Sequence, residues 1–283
     1  MDRRTALQML GMIGATALVG DEVEAAGQAE GPEFVGILVD TTRCVGCRSC
    51  EFACAEANGL PEPNDDDAVL EQHRNTTDTQ WSTMNRFDTD KGEVFVKKQC
   101  MHCAQPACGS ACLTRAMLKT KEGPVIWRED KCMGCRFCMV SCPFDMPKFE
   151  YDSAVPKIQK CRMCYERLQE GEVPACVDEC PEEAIIFGTR HELLEIARAR
   201  IYAEPDRYVH HIYGEHEVGG TGWLYLSGVP FEQLGFRTDL GNEAYPNLTR
   251  EFLYAVPVVL TLVPAFLLGV SNATKKDDSE GEG

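Results

Sequence analysis

Sixteen cysteines, all between Cys44 and Cys180, constrain the fold of this chain more than any other feature of its sequence. They form four groups of four, here called quartets one to four. The quartets are Cys44, Cys47, Cys50 and Cys54; Cys100, Cys103, Cys108 and Cys112; Cys132, Cys135, Cys138 and Cys142; and Cys161, Cys164, Cys176 and Cys180. Quartets one and three share gaps of two, two and three residues, and the middle gap is four residues in quartet two and eleven in quartet four.

This spacing is typical of bacterial iron-sulfur runs, and Pro143 and Pro181 follow quartets three and four as they do in such runs. Two residues between cysteines let a loop wrap three corners of a cubane while backbone N–H groups face the sulfides. In two-cluster ferredoxins the fourth cysteine of each run binds the other cluster. Gly46 and Gly134 lie where the backbone must approach the cluster closely. The four quartets therefore predict four [4Fe-4S] clusters with all sixteen cysteines as ligands.

Two other uses of these thiols compete with cluster binding. A disulfide framework suits an exported protein with an even number of cysteines, but it does not call for a repeated spacing. Zinc sites use pairs of cysteines, and these runs supply more ligands than one tetrahedral ion binds. A zinc or disulfide structural protein remains the remote alternative to an iron-sulfur protein.

The first 26 residues have the order of a twin-arginine export signal. Arg3 and Arg4 precede a short apolar run over residues 6–19, and small residues surround Ala25. The alternative is a buried N-terminal helix; the run is too short to cross a bilayer. Residues 1–26 are therefore predicted to direct export to the periplasm by a route that carries folded, cofactor-loaded proteins.

Residues 252–270 contain no charged side chain, and as a helix they would be about 28 Å long, which matches a hydrocarbon core. They predict one transmembrane helix; the alternative is a buried helix of a soluble protein. Pro257 and Pro264 are seven residues apart and share a face, which favours a neighbouring membrane helix. Lys275 and Lys276 favour a cytoplasmic C-terminus, followed by an acidic tail within residues 271–283 that is predicted to be disordered.

Short strands and helices are predicted between the quartets. We expect strands at residues 34–39, 93–97, 125–127 and 184–187, a helical turn at 114–118, and a helix at 191–201. Residues 55–99 form an insertion with an acidic, turn-rich stretch at 61–67, and we expect a solvated loop there. The repeated order of cluster loop, helix and strand predicts an α+β fold of two pseudo-symmetric, ferredoxin-like domains.

The remaining ionisable groups do not suggest an active site. With 28 basic and 45 acidic residues the net charge is -17, which excludes nucleic acid as a natural partner. His102 lies between two ligands, where it either donates to a sulfide or lies on the surface. Arg48, Arg136 and Arg162 each follow a ligand by one residue. They are expected at the surface, and the alternative is that they offset the negative charge of the thiolates. The chain is predicted to be a non-catalytic carrier of electrons.

The four quartets, with eleven residues in the last gap, resemble the four-cluster electron-transfer subunits of membrane-bound oxidoreductases. These include formate dehydrogenase, polysulfide and dimethyl sulfoxide reductases, and hydrogenase-2. The similarity covers residues 34–270, and shorter motifs are most similar to the HybA-type subunit of hydrogenase-2. Those motifs are Lys98-Gln99-Cys100-Met101-His102-Cys103, Tyr213-Gly214-Glu215, Gly219-Gly220-Thr221 and Gly228-Val229-Pro230-Phe231-Glu232.

The resemblance implies two interleaved domains within residues 34–203, one from quartets one and four and one from quartets two and three. A C-terminal extension over residues 204–250 then leads to the membrane helix. The implied ligand sets are Cys44, Cys47 and Cys50 with Cys180; Cys161, Cys164 and Cys176 with Cys54; Cys100, Cys103 and Cys108 with Cys142; and Cys132, Cys135 and Cys138 with Cys112. The family often has proline where this chain has Leu113.

The implied function is relay of electrons between a periplasmic [NiFe] hydrogenase and the membrane quinone pool. Residues 252–270 contain no histidine, so a haem or quinone site is expected on an integral membrane partner. The alternative partner is a formate dehydrogenase or another molybdopterin enzyme.

Overall fold

A computed structural model describes residues 33–274. The predicted export signal and residues 275–283 of the predicted tail lie outside the described residues, whereas residues 271–274 belong to the last helix. The described strands are β1 (Val35–Asp40), β2 (Thr83–Thr89), β3 (Gly92–Lys98), β4 (Met117–Lys119), β5 (Val125–Trp127), β6 (Lys148–Phe149), β7 (Ile158–Gln159), β8 (Ile185–Thr189) and β9 (Trp223–Leu226).

The helices are mostly short and lie between these strands. The α-helices are α1 (Ser49–Asn58), α2 (Ala107–Ser110), α3 (Phe137–Val140), α4 (Tyr165–Gln169), α5 (Ala175–Asp178), α6 (Arg190–Ala203), α7 (Tyr245–Leu248) and α8 (Arg250–Thr274). Short 3-10 helices cover Asp67–Glu71, Glu129–Lys131, Glu217–Gly219 and Phe231–Leu234. This mixture of helices and mainly antiparallel strand pairs is the predicted α+β class.

A three-stranded sheet has β1 at its centre. β1 pairs antiparallel with β8 and parallel with β9. Its apolar run Ile37-Leu38-Val39 is almost wholly buried, because neighbours cover both faces of the sheet. Helix α6 packs on this sheet and begins with a capping box, in which Thr189 and Glu192 bond to each other's backbone N–H groups. The strands predicted at 34–39 and 184–187 and the helix predicted at 191–201 are confirmed, with ends shifted by one or two residues.

Three two-stranded antiparallel pairs, β2–β3, β4–β5 and β6–β7, complete the sheets of the described chain. The strands predicted at 93–97 and 125–127 are observed within these pairs. The helical turn predicted at 114–118 is wrong, because its second half extends into β4 to pair with β5. The solvated loop expected over 55–99 is also wrong as a whole. Only the acidic stretch is largely exposed, whereas Trp81, Met84 and Val96 are buried in the core.

Helix α8 is the one helix of the described residues that is long and apolar enough to cross a membrane. Within the stretch Tyr245–Thr274, which includes α7, an 18-residue window has a mean hydropathy of 2.3. None of the side chains of α8 is buried against the body of the protein. Its 25 residues span about 37 Å. Pro257 and Pro264 lie inside the helix, and the Thr261 hydroxyl donates to the carbonyl of Pro257 at 2.9 Å.

Candidate functional site

The sixteen thiols are all unpaired, and all lie in the described part of the chain. Most are buried or half-buried, whereas Cys47 and Cys135 are exposed. Among residues 33–274, no group of three or more Cys, His, Asp or Glu side chains is arranged to bind a single metal ion. Ligands of a cubane bind separate iron corners and are therefore spread more widely than ligands of a single ion.

Two sets of four thiols line two distinct cavities. The first, here called the Cys180 cavity, is lined by Cys44, Cys47, Cys50 and Cys180 together with apolar side chains such as Val39. The second, here called the Cys54 cavity, is lined by Cys54, Cys161, Cys164 and Cys176 together with Trp81 and Trp223. Each cavity thus receives three thiols from one quartet and the fourth from the other.

Two packed helices cause this exchange. Helix α1 carries Cys50 and Cys54 four residues apart, so both point along one face of the helix, one turn from each other. Helix α5, which packs against α1, carries Cys176, and Cys180 follows one turn later. Helix α1 therefore supplies one thiol to each cavity, and α5 with the loop that follows it supplies Cys176 to the Cys54 cavity and Cys180 to the Cys180 cavity.

Quartets two and three are brought together in a similar way. Helices α2 and α3, which carry Cys108 and Cys138, pack against each other. The pKa of Cys142 is raised to about 11 by burial and by the nearby Cys100 thiolate. The pKa of Cys138 is also raised to about 11, by burial and then by the Cys112 thiolate. Cys142 thus lies near quartet two, and Cys112 lies near quartet three.

Burial controls the protonation of most of these thiols. It raises the pKa of Cys44 to about 11 and is the main cause of values of about 12 for Cys108 and Cys161. Cys112 differs, because hydrogen bonds outweigh its partial burial and lower its pKa; one comes from the Met117 N–H at 3.4 Å. Iron must displace a proton from each buried thiol. Convergent quartets, apolar linings and N–H donors to sulfur fit cubane clusters.

Comparison with known proteins agrees with this chemistry. Residues 92–190 match the 4Fe-4S dicluster domain family. A protein of Nitratidesulfovibrio vulgaris is 46% identical over 98% of this chain and 78% of its own length. The hydrogenase-2 operon protein HybA of Escherichia coli O157:H7 is 35% identical over 88% of each chain. The nitrate-inducible formate dehydrogenase iron-sulfur subunit of Escherichia coli K12 is 33% identical over 68% of this chain and 67% of its own length.

The chain belongs to this family of 4Fe-4S electron-transfer subunits and is close to HybA. The family resemblance proposed from the cysteine spacing and the shorter motifs is thereby confirmed. The sixteen individual ligand assignments remain predictions.

Lys97 is a functional candidate of this HybA-related chain that the sequence did not reveal. Its side chain is only 2% exposed and lines both the Cys180 cavity and the Cys54 cavity. Burial alone would lower the pKa of Lys97, but the thiolates of Cys176, Cys50 and Cys54 raise it above its usual range. The ammonium therefore stays charged between the two cavities.

His102 is fully buried, so its alternative placement at the surface is wrong. Its Nδ1 accepts a hydrogen bond from the Val125 N–H at 2.8 Å, which leaves the ring proton on Nε2. No atom of residues 33–274 accepts that proton within hydrogen-bond distance. Burial, and then the charges of Lys160 and Lys119, lower the pKa of His102 well below its usual range, so the ring is neutral.

Arg48 is also buried, contrary to the expected surface position. Its guanidinium donates to Glu51 at 3.1 Å and to the backbone carbonyl of Asp66 at 3.2 Å. Glu51 in turn accepts from Arg74 at 2.6 Å. The network joins helix α1 to the insertion and so holds the insertion over quartet one. Arg136 is exposed and Arg162 is half-buried.

Proposed function

We propose that this chain relays electrons through four [4Fe-4S] clusters between a periplasmic [NiFe] hydrogenase and the membrane quinone pool, by way of an integral membrane partner. The observation that carries the proposal is that thiols of paired quartets lie together, in a chain that matches HybA over 88% of both lengths. When bound, the clusters supply one-electron carriage. The chain contributes no catalytic residue of its own.

The proposed ligand sets follow the exchange between quartets. Quartets one and four would form one domain and quartets two and three the other, interleaved within residues 34–203. The mixed thiol linings of the two cavities support the first domain. The packing of α2 against α3, with Cys142 near quartet two, supports the second.

The neighbours of each set of thiols support a linear order of the four proposed clusters. Cys50 of the Cys180 cavity lies near Cys176 of the Cys54 cavity. Cys54, Cys161 and Cys100 belong to one apolar cluster with Trp81, which brings the Cys54 cavity next to quartet two. Cys108 and Cys138 belong to another, which brings quartet two next to quartet three. The relay would thus run from the Cys180 cavity to the Cys54 cavity, then to quartet two and to quartet three.

The route to the membrane would leave from the end of the relay that quartets two and three form. Helix α2 of quartet two contacts α7, and α7 leads directly into α8, which we propose as the single transmembrane anchor. Exposed apolar side chains surround the last two quartets of the relay: Leu113, Met133, Phe137 and Val140. These side chains suit the membrane partner, since apolar groups this exposed mark binding surfaces. The exposed Cys47 marks the opposite end, which we assign to the hydrogenase.

Export by the twin-arginine route, with signal residues 1–26, would place the loaded protein on the periplasmic side. Anchoring by α8, with the tail of residues 271–283 inside, is consistent with that side. The signal and the tail are proposed from the sequence.

The test uses the detergent-solubilised complex, purified anaerobically through a tag on this chain. Hydrogen is expected to bleach the broad visible absorption of the clusters, whereas formate is not. About sixteen iron atoms per chain are expected. Bleaching by formate and not by hydrogen would overturn the hydrogenase partner in favour of a molybdopterin enzyme, the alternative that the formate dehydrogenase relatives favour. Zinc without iron would defeat the relay itself.

A further inference from the structure

Lys97 lies at the point where the two cavities of quartets one and four meet. It is the second-last residue of β3, and its ammonium is shared by the linings of the Cys180 cavity and the Cys54 cavity. The other lining residues are mainly thiols and apolar side chains, apart from Ser49 and Glu182 in the Cys180 cavity and Asn58 and Arg162 in the Cys54 cavity.

The partners of this ammonium are all neutral. Lys97 Nζ donates to Ser82 Oγ and to Gln99 Oε1, the latter at 3.2 Å, and lies 5.0 Å from the ring centroid of Trp223. The amide of Gln99 is fixed in turn, because its Nε2 donates to the Tyr225 hydroxyl. That hydroxyl donates back to the Lys97 carbonyl at 2.9 Å. This ring of hydrogen bonds holds the ammonium in place.

No carboxylate of residues 33–274 forms an ion pair with Lys97. Glu51, the buried carboxylate of helix α1, is instead paired with Arg48 and Arg74. An ammonium removed from water without a counter-charge costs several kcal/mol. The negative charge that balances Lys97 must therefore come from what the two cavities hold.

We propose that Lys97 tunes two clusters at once: its single ammonium raises the reduction potentials of the clusters in the Cys180 cavity and the Cys54 cavity, and so matches them for transfer. The proposal rests on the cluster sites of the proposed function. Each reduction adds one electron and one negative charge, and a fixed cation offsets that charge with no bond made and no proton moved. Nearby charge is one of the factors that set cluster potentials.

The experiment is an anaerobic redox titration of the holoprotein, followed by low-temperature electron paramagnetic resonance, on wild type and Lys97→Met. We expect two of the four clusters to become at least tenfold harder to reduce, which is about 59 mV for a one-electron couple. The other two should keep their potentials. The matched control is Lys98→Met. Lys98 is the next residue of β3, is only half-buried and donates to Asn75 at 2.6 Å, and its loss should shift none of the four clusters by that amount.

A second variant tests the proposal if Lys97→Met does not fold or does not take up its clusters. Gln99→Glu keeps the size of the side chain and places a carboxylate against the ammonium, so the same two potentials should fall together while iron content stays at wild-type level. Unchanged potentials in Gln99→Glu, or a shift in only one cluster of an iron-replete Lys97→Met, would overturn the proposal. Absence of iron from the wild-type protein would instead defeat the cluster sites and the proposed function.

Discussion

Gly46 forms the turn between the first two thiols of the Cys180 cavity, and two features make glycine necessary there. Its φ is +71°, a left-handed conformation that side chains disfavour. A Cβ at this position would also overlap the ring of Phe95. The sequence predicted an approach of the Gly46 backbone to a cluster, and the structure adds the Phe95 ring as a second neighbour that requires glycine.

Gly46→Ala is expected to lower stability by about 2–4 kcal/mol, because left-handed strain adds to displacement of the Phe95 ring. Gly59→Ala is the matched control: Gly59 has φ +61° at the end of α1, but a Cβ there meets no atom within 4 Å. That control should cost about 1 kcal/mol. Thermal unfolding and iron content of the two holoproteins measure the difference, and equal losses would contradict the role of Phe95.

Residue chemistry was predictable wherever it depended on local spacing. The quartets could be assigned without tertiary information, because two residues between thiols already define a cluster loop. Lys97 could not be found in this way. Alternation along β3 turns Val94 and Val96 inward and would turn Lys97 outward, but Trp223 and the thiol cavities cover the other face as well.

Secondary-structure elements divide in the same way: those set by local sequence were predicted, and those set by distant contacts were not. The strands observed at 35–40, 125–127 and 185–189 were predicted to within two residues at each end, because apolar runs bounded by turns are local signals. The hairpin partner β2 was missed, because Thr83-Met84-Asn85-Arg86 has little apolar alternation. Its stability comes from pairing with β3 and from the Met84 N–H, which donates to the buried Glu51. Such contacts between distant residues cannot be read from one segment.

A turn in the C-terminal extension is held by an ion pair that gives a pH dependence. His211 Nε2 lies 2.7 Å from Glu217 Oε1, and the other oxygen of Glu217 accepts from the Gly214 N–H at 2.6 Å. The hydrogen bond to Glu217 raises the pKa of His211 above its usual 6.5. Bonds from His211 and the backbone outweigh burial and lower the pKa of Glu217 below 4.5.

The pair should therefore contribute fully between about pH 4.5 and 6.5, and less as the pH rises through the pKa of folded His211. Because His211 is half exposed, solvent screening limits the effect to about 0.5–1 kcal/mol. Apparent Tm of the holoprotein should fall by about 2 °C across that rise. His211→Gln should remove this component, and His210→Gln, at the exposed neighbouring position, should retain it. A dependence unchanged in His211→Gln would contradict the assignment.

For the whole molecule, the proposed anchor α8 is structurally separate from the proposed cluster sites. None of its side chains is buried against the body, so deletion of residues 250–283 should leave the core and the clusters intact. We expect the full chain to resist carbonate extraction from membranes and the truncated chain to be released with unchanged iron content. Deletion of residues 275–283 alone is the control and should stay in the membrane pellet. Release of the full chain by carbonate would contradict an anchor that crosses the bilayer.

The sheet also sets the timing of assembly. Strand β1 lies between β8 and β9, which follow it by about 150 and 190 residues in the chain. A ribosome must therefore release most of the polypeptide before this sheet can close. Under the proposed ligand sets, the thiols of quartet one would wait almost as long for Cys180, and the Cys180 cavity would receive its iron late in synthesis.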